Sequence, residues 1–158
     1  MMRLVILPVL LGCLAAVGCG PRRIDATPRA QAQVDGLKVT LELPGRTFKV
    51  GENFLALVTA ENVWSRPLEI VSRTGTPVYL RIWRHTGLVW EEVKRYPQAS
   101  TMVMTGWTIR QRAQRQFAMP LTVEPDWPTG ELLSMTAEID GREQASPRVT
   151  FDVAPPAD

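Results

Sequence analysis

Cysteine and histidine are nearly absent from this sequence of 158 residues. Its two cysteines, Cys13 and Cys19, stand close to the amino terminus, and His85 is its single histidine. Structural zinc sites and cysteine- or histidine-based catalytic sets need several such side chains close together. We therefore expect no disulfide, no such metal site and no histidine-dependent catalysis in the body of the chain.

The chain also lacks a dominant charge. Eighteen lysines and arginines against sixteen aspartates and glutamates leave a net charge of +2. A dedicated nucleic-acid binder carries a concentrated basic surface, so we expect no nucleic-acid partner. Hydrophobic residues at 45% and charged residues at 22% are values of a globular protein, and the length fits a single domain.

An uncharged apolar run occupies residues 4–18, directly after Arg3. As a helix it would span about 22 Å, which is short of the ~30 Å hydrocarbon core of a bilayer. Its length and its basic flank are typical of a secretory signal peptide rather than of a stable membrane span.

The residues that end this run, Ala16-Val17-Gly18-Cys19, resemble the lipobox of bacterial lipoproteins. That resemblance implies cleavage before Cys19, a diacylglycerol on its thiol and further acylation of its amine. Ala16 stands where such motifs usually have leucine. Cys13, preceded by Leu10-Leu11-Gly12, is a rival lipobox, and a plain signal peptide cut nearby is a further alternative.

Gly20 rather than aspartate follows Cys19. By the sorting rule of enteric lipoproteins, this favours the outer membrane if the host has one, and otherwise the outer leaflet of the cell membrane. We expect a signal peptide at residues 1–18 and a lipidated cysteine with a flexible tether at 19–36, in which residues 29–34 are suited to a short helix. A globular body at 37–153 and a disordered tail at 154–158 complete the chain.

The body of the chain alternates apolar and polar residues in short segments. In Leu37–Leu43 the leucines and Val39 share one face, which is the period of a half-buried strand. Segments of this kind recur with a turn every 8–12 residues, and they predict an all-β fold, a single antiparallel immunoglobulin-like β-sandwich of about 7–9 strands. The predicted core comprises Leu41, Leu57, Val58, Leu80, Ile82, Val89, Phe117, Leu121, Met135, Ala137, Ile139, Val149 and Phe151.

Three of its turns resemble those of bacterial immunoglobulin-like domains, nearest to the intracellular proteinase inhibitor (BsuPI-like) family. They are Val50-Gly51-Glu52, the hairpin Gly87-Leu88-Val89-Trp90, and Pro128-Thr129-Gly130 before the closing strand. Thr129 is an insertion into the family pattern, and Leu132 replaces a common aromatic residue. The resemblance implies the sandwich fold and, as an alternative function, proteinase inhibition. No inhibitory residue transfers, because no reactive-loop motif matches.

Aromatic and basic residues alternate on the predicted hairpin of residues 77–93. Tyr79, Arg81 and Trp83 share one strand face, and we expect Trp90, Glu92 and Lys94 to lie across from them. Tryptophan, tyrosine and arginine are enriched at binding hot spots, so this set is the candidate binding face. The alternative is that a loop or the second sheet covers it. The second candidate is a basic loop that contains Arg110, Arg112 and Arg115. It either binds an anionic partner, such as a lipid or a cell-wall polymer, or is a solvated loop without a partner.

Other possible sites are weaker. Thioethers select Cu(I), but the methionines here are better explained as core filler than as a metal carrier. The adjacent Glu91 and Glu92 point to opposite faces of a strand, so they cannot act as paired catalytic carboxylates. We thus expect no catalytic residue and no cofactor. The sequence predicts a lipid-anchored envelope protein that binds, scaffolds or helps assemble an envelope protein or a cell-wall partner. The methionines considered above as Cu(I) ligands are Met102, Met104, Met119 and Met135.

Overall fold

The computed structural model describes residues 27–155, which form eleven β-strands. The predicted signal peptide, Cys19 and Cys13 lie outside the described residues, as does the end of the predicted tail. Within residues 27–155, no helix is long and apolar enough to cross a membrane. The strands are β1 (Arg29–Val34), β2 (Leu37–Glu42), β3 (Thr47–Lys49), β4 (Asn53–Asn62), β5 (Leu68–Ser72), β6 (Val78–His85), β7 (Trp90–Tyr96), β8 (Thr105–Ile109), β9 (Gln114–Thr122), β10 (Leu132–Ile139) and β11 (Arg148–Ala154).

Two main sheets and a two-stranded ribbon build the sandwich. The four-stranded sheet has the order β1-β2-β4-β9, the five-stranded sheet the order β3-β11-β10-β6-β7, and β5 pairs with β8. The prediction of an all-β sandwich is confirmed. The strand count is higher than expected, and one pair, β3 with β11, is parallel. Such short edge pairings add strands without needing a long apolar run.

Residues 29–34 form a strand rather than the tether or short helix that their alanines and glutamines favoured. β1 pairs antiparallel with β2 along its whole length. The tight turn between them uses Asp35 and Gly36, both with positive φ (47° and 80°). Ala30 and Val34 pack against the core, and this tertiary contact overrides helix propensity. The sandwich therefore begins at Arg29, eight residues before the predicted boundary at residue 37.

The core lies between the two main sheets. Ten of the thirteen predicted core residues are buried, while Leu57 and Phe117 are half-buried and Val89 is exposed at 61%. The prediction for Val89 was wrong because this residue lies in the turn between β6 and β7, outside both strands. Leu57 is half-buried because it lies on the outer face of the four-stranded sheet. Phe117 pairs with the buried Val58 and packs against the core, but it remains half-buried because β9 is an edge strand. A cluster of aromatic rings that includes Phe48, Phe54 and Trp127 closes one end of the core.

The two ends of the sandwich carry different loops. At one end, called here the proximal end, Leu43 donates a backbone hydrogen bond to Pro28 (2.9 Å), close to where residue 27 enters the structure. The backbone N–H of Asp152 donates to the carbonyl of Arg46, which places the end of β11 at this same end. Asp152 pairs with Leu132 at the start of β10, and the next residue, Leu133, pairs with Arg84 near the end of β6. The β6–β7 turn therefore also lies at the proximal end. The opposite, distal end holds the turn at residues 35–36 and the loops at 97–104 and 140–147.

Candidate functional site

The candidate binding face is the outer surface of the five-stranded sheet. Along β6, Val78, Leu80 and Ile82 are buried between the sheets, while the alternating Tyr79, Arg81 and Trp83 are half-buried on the opposite face. This alternation is the direct result of the two-residue period of a strand. The three side chains share a face, as the sequence predicted.

A β-bulge moves Lys94 away from this face. Trp83 pairs with Glu92, but the next pair along is Ile82 with Lys94, so Val93 is an extra residue on β7. A one-residue insertion reverses which side chains face outward beyond it. Glu92 therefore joins the candidate face, whereas Lys94 lies on the side of the inward-facing Ile82. The placement of Lys94 on the face was wrong.

Trp83, Trp90 and Arg148 form an aromatic cluster at the proximal half of the face. The Arg148 guanidinium lies 5.5 Å from the ring centre of Trp83 and 5.0 Å from that of Trp90. The indole nitrogen of Trp83 donates to the Thr136 hydroxyl at 2.9 Å. His85 packs edge-on against Trp90, with ring centres 4.9 Å apart. Cation–π and edge-on contacts of this kind stabilise the positions of the two half-exposed indole rings.

Next to the cluster, four charged side chains form a chain of ion pairs. Arg81 contacts Glu92 at 2.9 Å and Glu138 at 2.8 Å, and Arg95 contacts Glu92 at 3.4 Å. Burial raises the pKa of Glu138, and the neighbouring Arg81 opposes that shift. Acidic and basic groups therefore alternate over this part of the face instead of forming a patch of one sign.

A cleft of about 340 Å³ opens at the distal end of the same face, beneath the loop at residues 97–102. Tyr79, Arg81 and Glu138 form its floor, and Asp140 lies at its rim. The Asp140 carboxylate is buried and accepts hydrogen bonds from the Ser72 hydroxyl (2.7 Å) and from the backbone (2.8 Å) and hydroxyl (2.9 Å) of Thr74. This carboxylate ties the β5–β6 connection to the end of β10.

These hydrogen bonds make the stability of the fold depend on pH. Burial by itself raises the pKa of Asp140, but the hydrogen bonds from Ser72 and Thr74 outweigh it and hold the pKa below its usual range. The stabilisation is therefore present above the unfolded pKa of about 3.9 and is lost as pH falls through the lower folded value. We expect Asp140→Asn to unfold at lower urea than the wild type at pH 7, and the difference to shrink below about pH 4.

Urea denaturation at several pH values measures this difference. Asp152→Asn is the matched control, since Asp152 accepts a single exposed hydrogen bond from Thr47 at 3.1 Å. A gap between wild type and Asp140→Asn that stays constant down to pH 3 would contradict the assignment.

Lys94 belongs to a separate polar cluster on the inward side of β7. Its ammonium contacts Asp126 at 2.7 Å and Glu124 at 2.9 Å, and the Tyr96 hydroxyl donates to Glu124 at 2.7 Å. Hydrogen bonds to Asp126 and Glu124 raise the pKa of Lys94, and burial together with Glu124 raises the pKa of Tyr96 to about 12. Because these groups satisfy one another, the cluster joins β7 to the segment after β9.

The predicted basic loop lies at the distal end and its three arginines are exposed. Arg115 stacks over two rings of its own chain, at 5.2 Å from Trp107 and 5.3 Å from Phe117. Arg112 occupies the turn with a positive φ of 53°. Arg115 belongs to β9, so Arg110 and Arg112 lie in the turn between β8 and β9 while Arg115 lies on the strand.

The remaining candidate residues are dispersed. Met135 is fully buried in the core, whereas Met102 and Met104 are exposed in the loop before β8. Glu91 pairs with Arg84 at 2.7 Å and is separated from the network of Glu92. Within residues 27–155, no three histidine, cysteine or acidic side chains are close enough together to hold a metal ion.

Sequence reasoning missed two features of this face. Arg148 begins β11 and stands 65 positions after Trp83, so only the pairing of β10 with β6 and β11 brings the two together. The second feature is the turn after β6, where Leu88 is 94% exposed and Val89 is 61% exposed. Because the sequence prediction assigned Val89 to the core, it did not identify this exposed apolar turn.

No family model and no curated protein matches the chain. Among solved structures it is similar to Spo0M, the sporulation control protein of Bacillus subtilis, with a TM-score of 0.52 and 17% identity over 78% of this chain and 51% of that one. For a cycloisomaltooligosaccharide glucanotransferase of Paenibacillus sp. the TM-score is 0.49 and the identity 12%, over 80% of this chain and 15% of the enzyme. For the alkylpurine DNA glycosylase AlkC of Pseudomonas fluorescens the TM-score is 0.48 and the identity 11%, over 82% of this chain and 31% of the enzyme.

This chain spans about half of the Spo0M structure and a smaller share of the two enzymes. At 17% identity, the likeness to Spo0M shows a shared β-sandwich fold and nothing about activity. The resemblance to BsuPI-like domains has no support from these comparisons and stays a prediction.

Proposed function

We propose that this protein is a lipid-anchored, non-catalytic component of the cell envelope whose β-sandwich binds a partner protein. The observation that carries the proposal is the aromatic cluster of Trp83, Trp90 and Arg148 on the open face of the five-stranded sheet. Two half-exposed tryptophans and an arginine at one point are the residue types most enriched at protein-binding hot spots. Leu132, 51% exposed, extends the apolar part of this surface.

The charges around the cluster favour a protein over an anionic polymer. Glu92 and Glu138 neutralise Arg81, so a polyanion would meet two carboxylates beside that arginine. A protein surface offers apolar contact area together with single charges of both signs, which is what this face needs for complementarity. The partner class is therefore a folded protein of the envelope.

The anchoring part of the proposal rests on the lipobox at residues 16–19. Two or three acyl chains exceed what stable membrane attachment requires. With glycine at position 20, we propose the periplasmic face of the outer membrane in a host that has one, and the outer leaflet of the cell membrane otherwise. Cys19→Ala removes the acceptor thiol and is the matching unanchored variant.

In-cell crosslinking of the full-length protein, followed by affinity recovery and mass spectrometry, tests the proposal. We expect one dominant envelope protein, lost with Cys19→Ala and reduced about tenfold or more by Arg148→Glu, as for a hot-spot residue. Arg115→Glu is the matched control, because Arg115 also lies over two aromatic rings but on a different part of the sandwich. Equal recovery with Arg148→Glu and wild type contradicts the assigned face.

Proteinase inhibition is the second candidate function. Besides the resemblance to BsuPI-like domains, the projecting β6–β7 turn supports this function. Leu88 in that turn is 94% exposed, and the residue of an inhibitory loop that contacts the proteinase must be exposed. A panel of endoproteases incubated with the full-length protein tests it. Inhibition at micromolar concentration, abolished by Leu88→Asp, would favour this function, whereas no inhibition would remove it.

A further inference from the structure

Two exposed apolar segments lie at opposite ends of the sandwich. At the proximal end, Leu88 and Val89 in the β6–β7 turn are 94% and 61% exposed. At the distal end, Met102 and Met104 in the loop before β8 are 89% and 75% exposed. Exposed apolar side chains that gather in one turn mark a contact surface more often than scattered ones do. The two segments differ in their distance from the point where residue 27 enters the structure, and only the proximal one lies near it.

The position of residue 27 singles out the proximal turn. Thr27 stands eight positions after Cys19, and a chain of that length reaches at most about 28 Å. The proximal end is therefore held within that distance of any membrane that carries lipidated Cys19. β1 contacts β11 in the other sheet, across a separation of about 10 Å, and β7 stands three strands from β11, about 14 Å to the side. These two offsets combine to about 17 Å, so the turn lies inside this reach.

We infer that the β6–β7 turn is a second membrane contact, in which Leu88 and Val89 enter the lipid surface beside the acylated Cys19. This inference rests on the proposed lipidation. Trp90 and Trp83 stand directly behind the turn, on the side away from its tip. Tryptophan prefers the level of the headgroups, where its ring is in a partly apolar layer and its N–H reaches water or a polar group.

The charged neighbours of the turn are neutralised within the protein. Arg84 contacts Glu91 at 2.7 Å and lies 3.9 Å from Glu131, and the Arg148 guanidinium lies 5.0 Å from the ring centre of Trp90. Two positive and two negative groups therefore surround the base of the turn, which brings no excess charge of one sign. Attraction to anionic lipids is then a minor contribution, and the contact is apolar. Such a contact survives high salt, which screens exposed charges but not apolar burial.

The contact also sets how the sandwich stands on the membrane. With the turn and the chain to Cys19 both directed at the lipid, the β6 and β7 strands rise away from the surface. The aromatic cluster then lies near the membrane, and the loop at residues 97–104 lies at the far side. A partner protein held in the same membrane meets the candidate face from the side.

Thiol accessibility in reconstituted vesicles tests the inference. In the processed, lipidated protein the Cys19 sulfur is a thioether and Cys13 has been removed, so Leu88→Cys introduces the one free thiol. Full-length lipidated protein is placed in vesicles of phosphatidylethanolamine and phosphatidylglycerol and treated with a membrane-impermeant maleimide. We expect Leu88→Cys to react about tenfold or more slowly than Met102→Cys, each normalised to its rate in urea, because burying the side chain of Val89, which this variant keeps, favours the inserted state by at least that factor.

Met102→Cys is the matched control, since Met102 is as exposed as Leu88 but lies at the distal end. Protection of the Leu88→Cys thiol that persists in 1 M salt and on dilution with lipid supports the inference. Equal reactivity of the two thiols in protein whose mass shows acylation at Cys19 overturns the membrane contact and leaves the anchor intact. Protection that disappears as protein is diluted with lipid overturns it too, and indicates a second copy instead. Protein whose mass shows no acyl chains overturns the proposed anchoring itself.

Discussion

Replacing Gly141 by alanine is expected to cost about 3–5 kcal/mol of folding free energy, a large part of the 5–15 kcal/mol typical of a domain. Gly141 has a φ of +85°, and a Cβ atom there would lie 2.2 Å from the carbonyl oxygen of Val71. Neither partner can move easily, because Val71 belongs to β5 and the adjacent Asp140 anchors the turn through Ser72 and Thr74. Backbone strain and a backbone clash therefore add.

Gly51→Ala is the matched control for this substitution. Gly51 has almost the same φ, +83°, but a Cβ atom there meets nothing within 4 Å. We expect it to cost about 1–2 kcal/mol, which is the penalty of the left-handed conformation alone. Thermal and urea denaturation measure both variants. Equal losses for the two would show that the contact with the Val71 carbonyl is relieved at little cost and would contradict the expectation.

Asn62→Ala is expected to destabilise the fold by about 3–4 kcal/mol. Asn62 is fully buried at the end of β4, and its amide nitrogen donates to the carbonyls of Arg66 (2.7 Å), Ile109 (3.0 Å) and Arg110 (3.2 Å). Its carbonyl oxygen accepts from the backbone N–H of Trp64 at 2.9 Å. Alanine leaves these backbone groups without their partner, and the bond to the Ile109 carbonyl is buried, so water does not replace the amide there.

The other end of the same strand supplies the control. Asn53 is exposed at the start of β4 and accepts one hydrogen bond, from the Thr122 hydroxyl at 2.6 Å. Asn53→Ala should change stability by about 0.5 kcal/mol or less, as is usual for the surface. Urea denaturation curves of both variants give the comparison. If Asn62→Ala costs no more than Asn53→Ala, then the loops at residues 63–67 and 110–113 do not depend on this amide.

Local sequence was sufficient for the strands that bury one face. The alternation in Leu37–Leu43 correctly predicted β2, and that in β6 correctly placed Tyr79, Arg81 and Trp83 together, because the period of a strand is a property of neighbouring residues. It was not sufficient for β1. Alanine and glutamine favour a helix in isolation, and only the pairing with β2 makes residues 29–34 a strand.

The candidate site shows the same division. From the sequence follow the all-β class, the predicted lipid address and an aromatic, basic strand face, since each depends on residues that are close together in the chain. The tertiary structure decided that the bulge at Val93 turns Lys94 away, that Arg148 completes the aromatic cluster, and that Leu88 and Val89 project at the end where residue 27 emerges. The first result depends on the register within the β6–β7 hairpin, and the other two depend on pairing between distant strands. Register is determined by the packing of the whole core rather than by any local pattern.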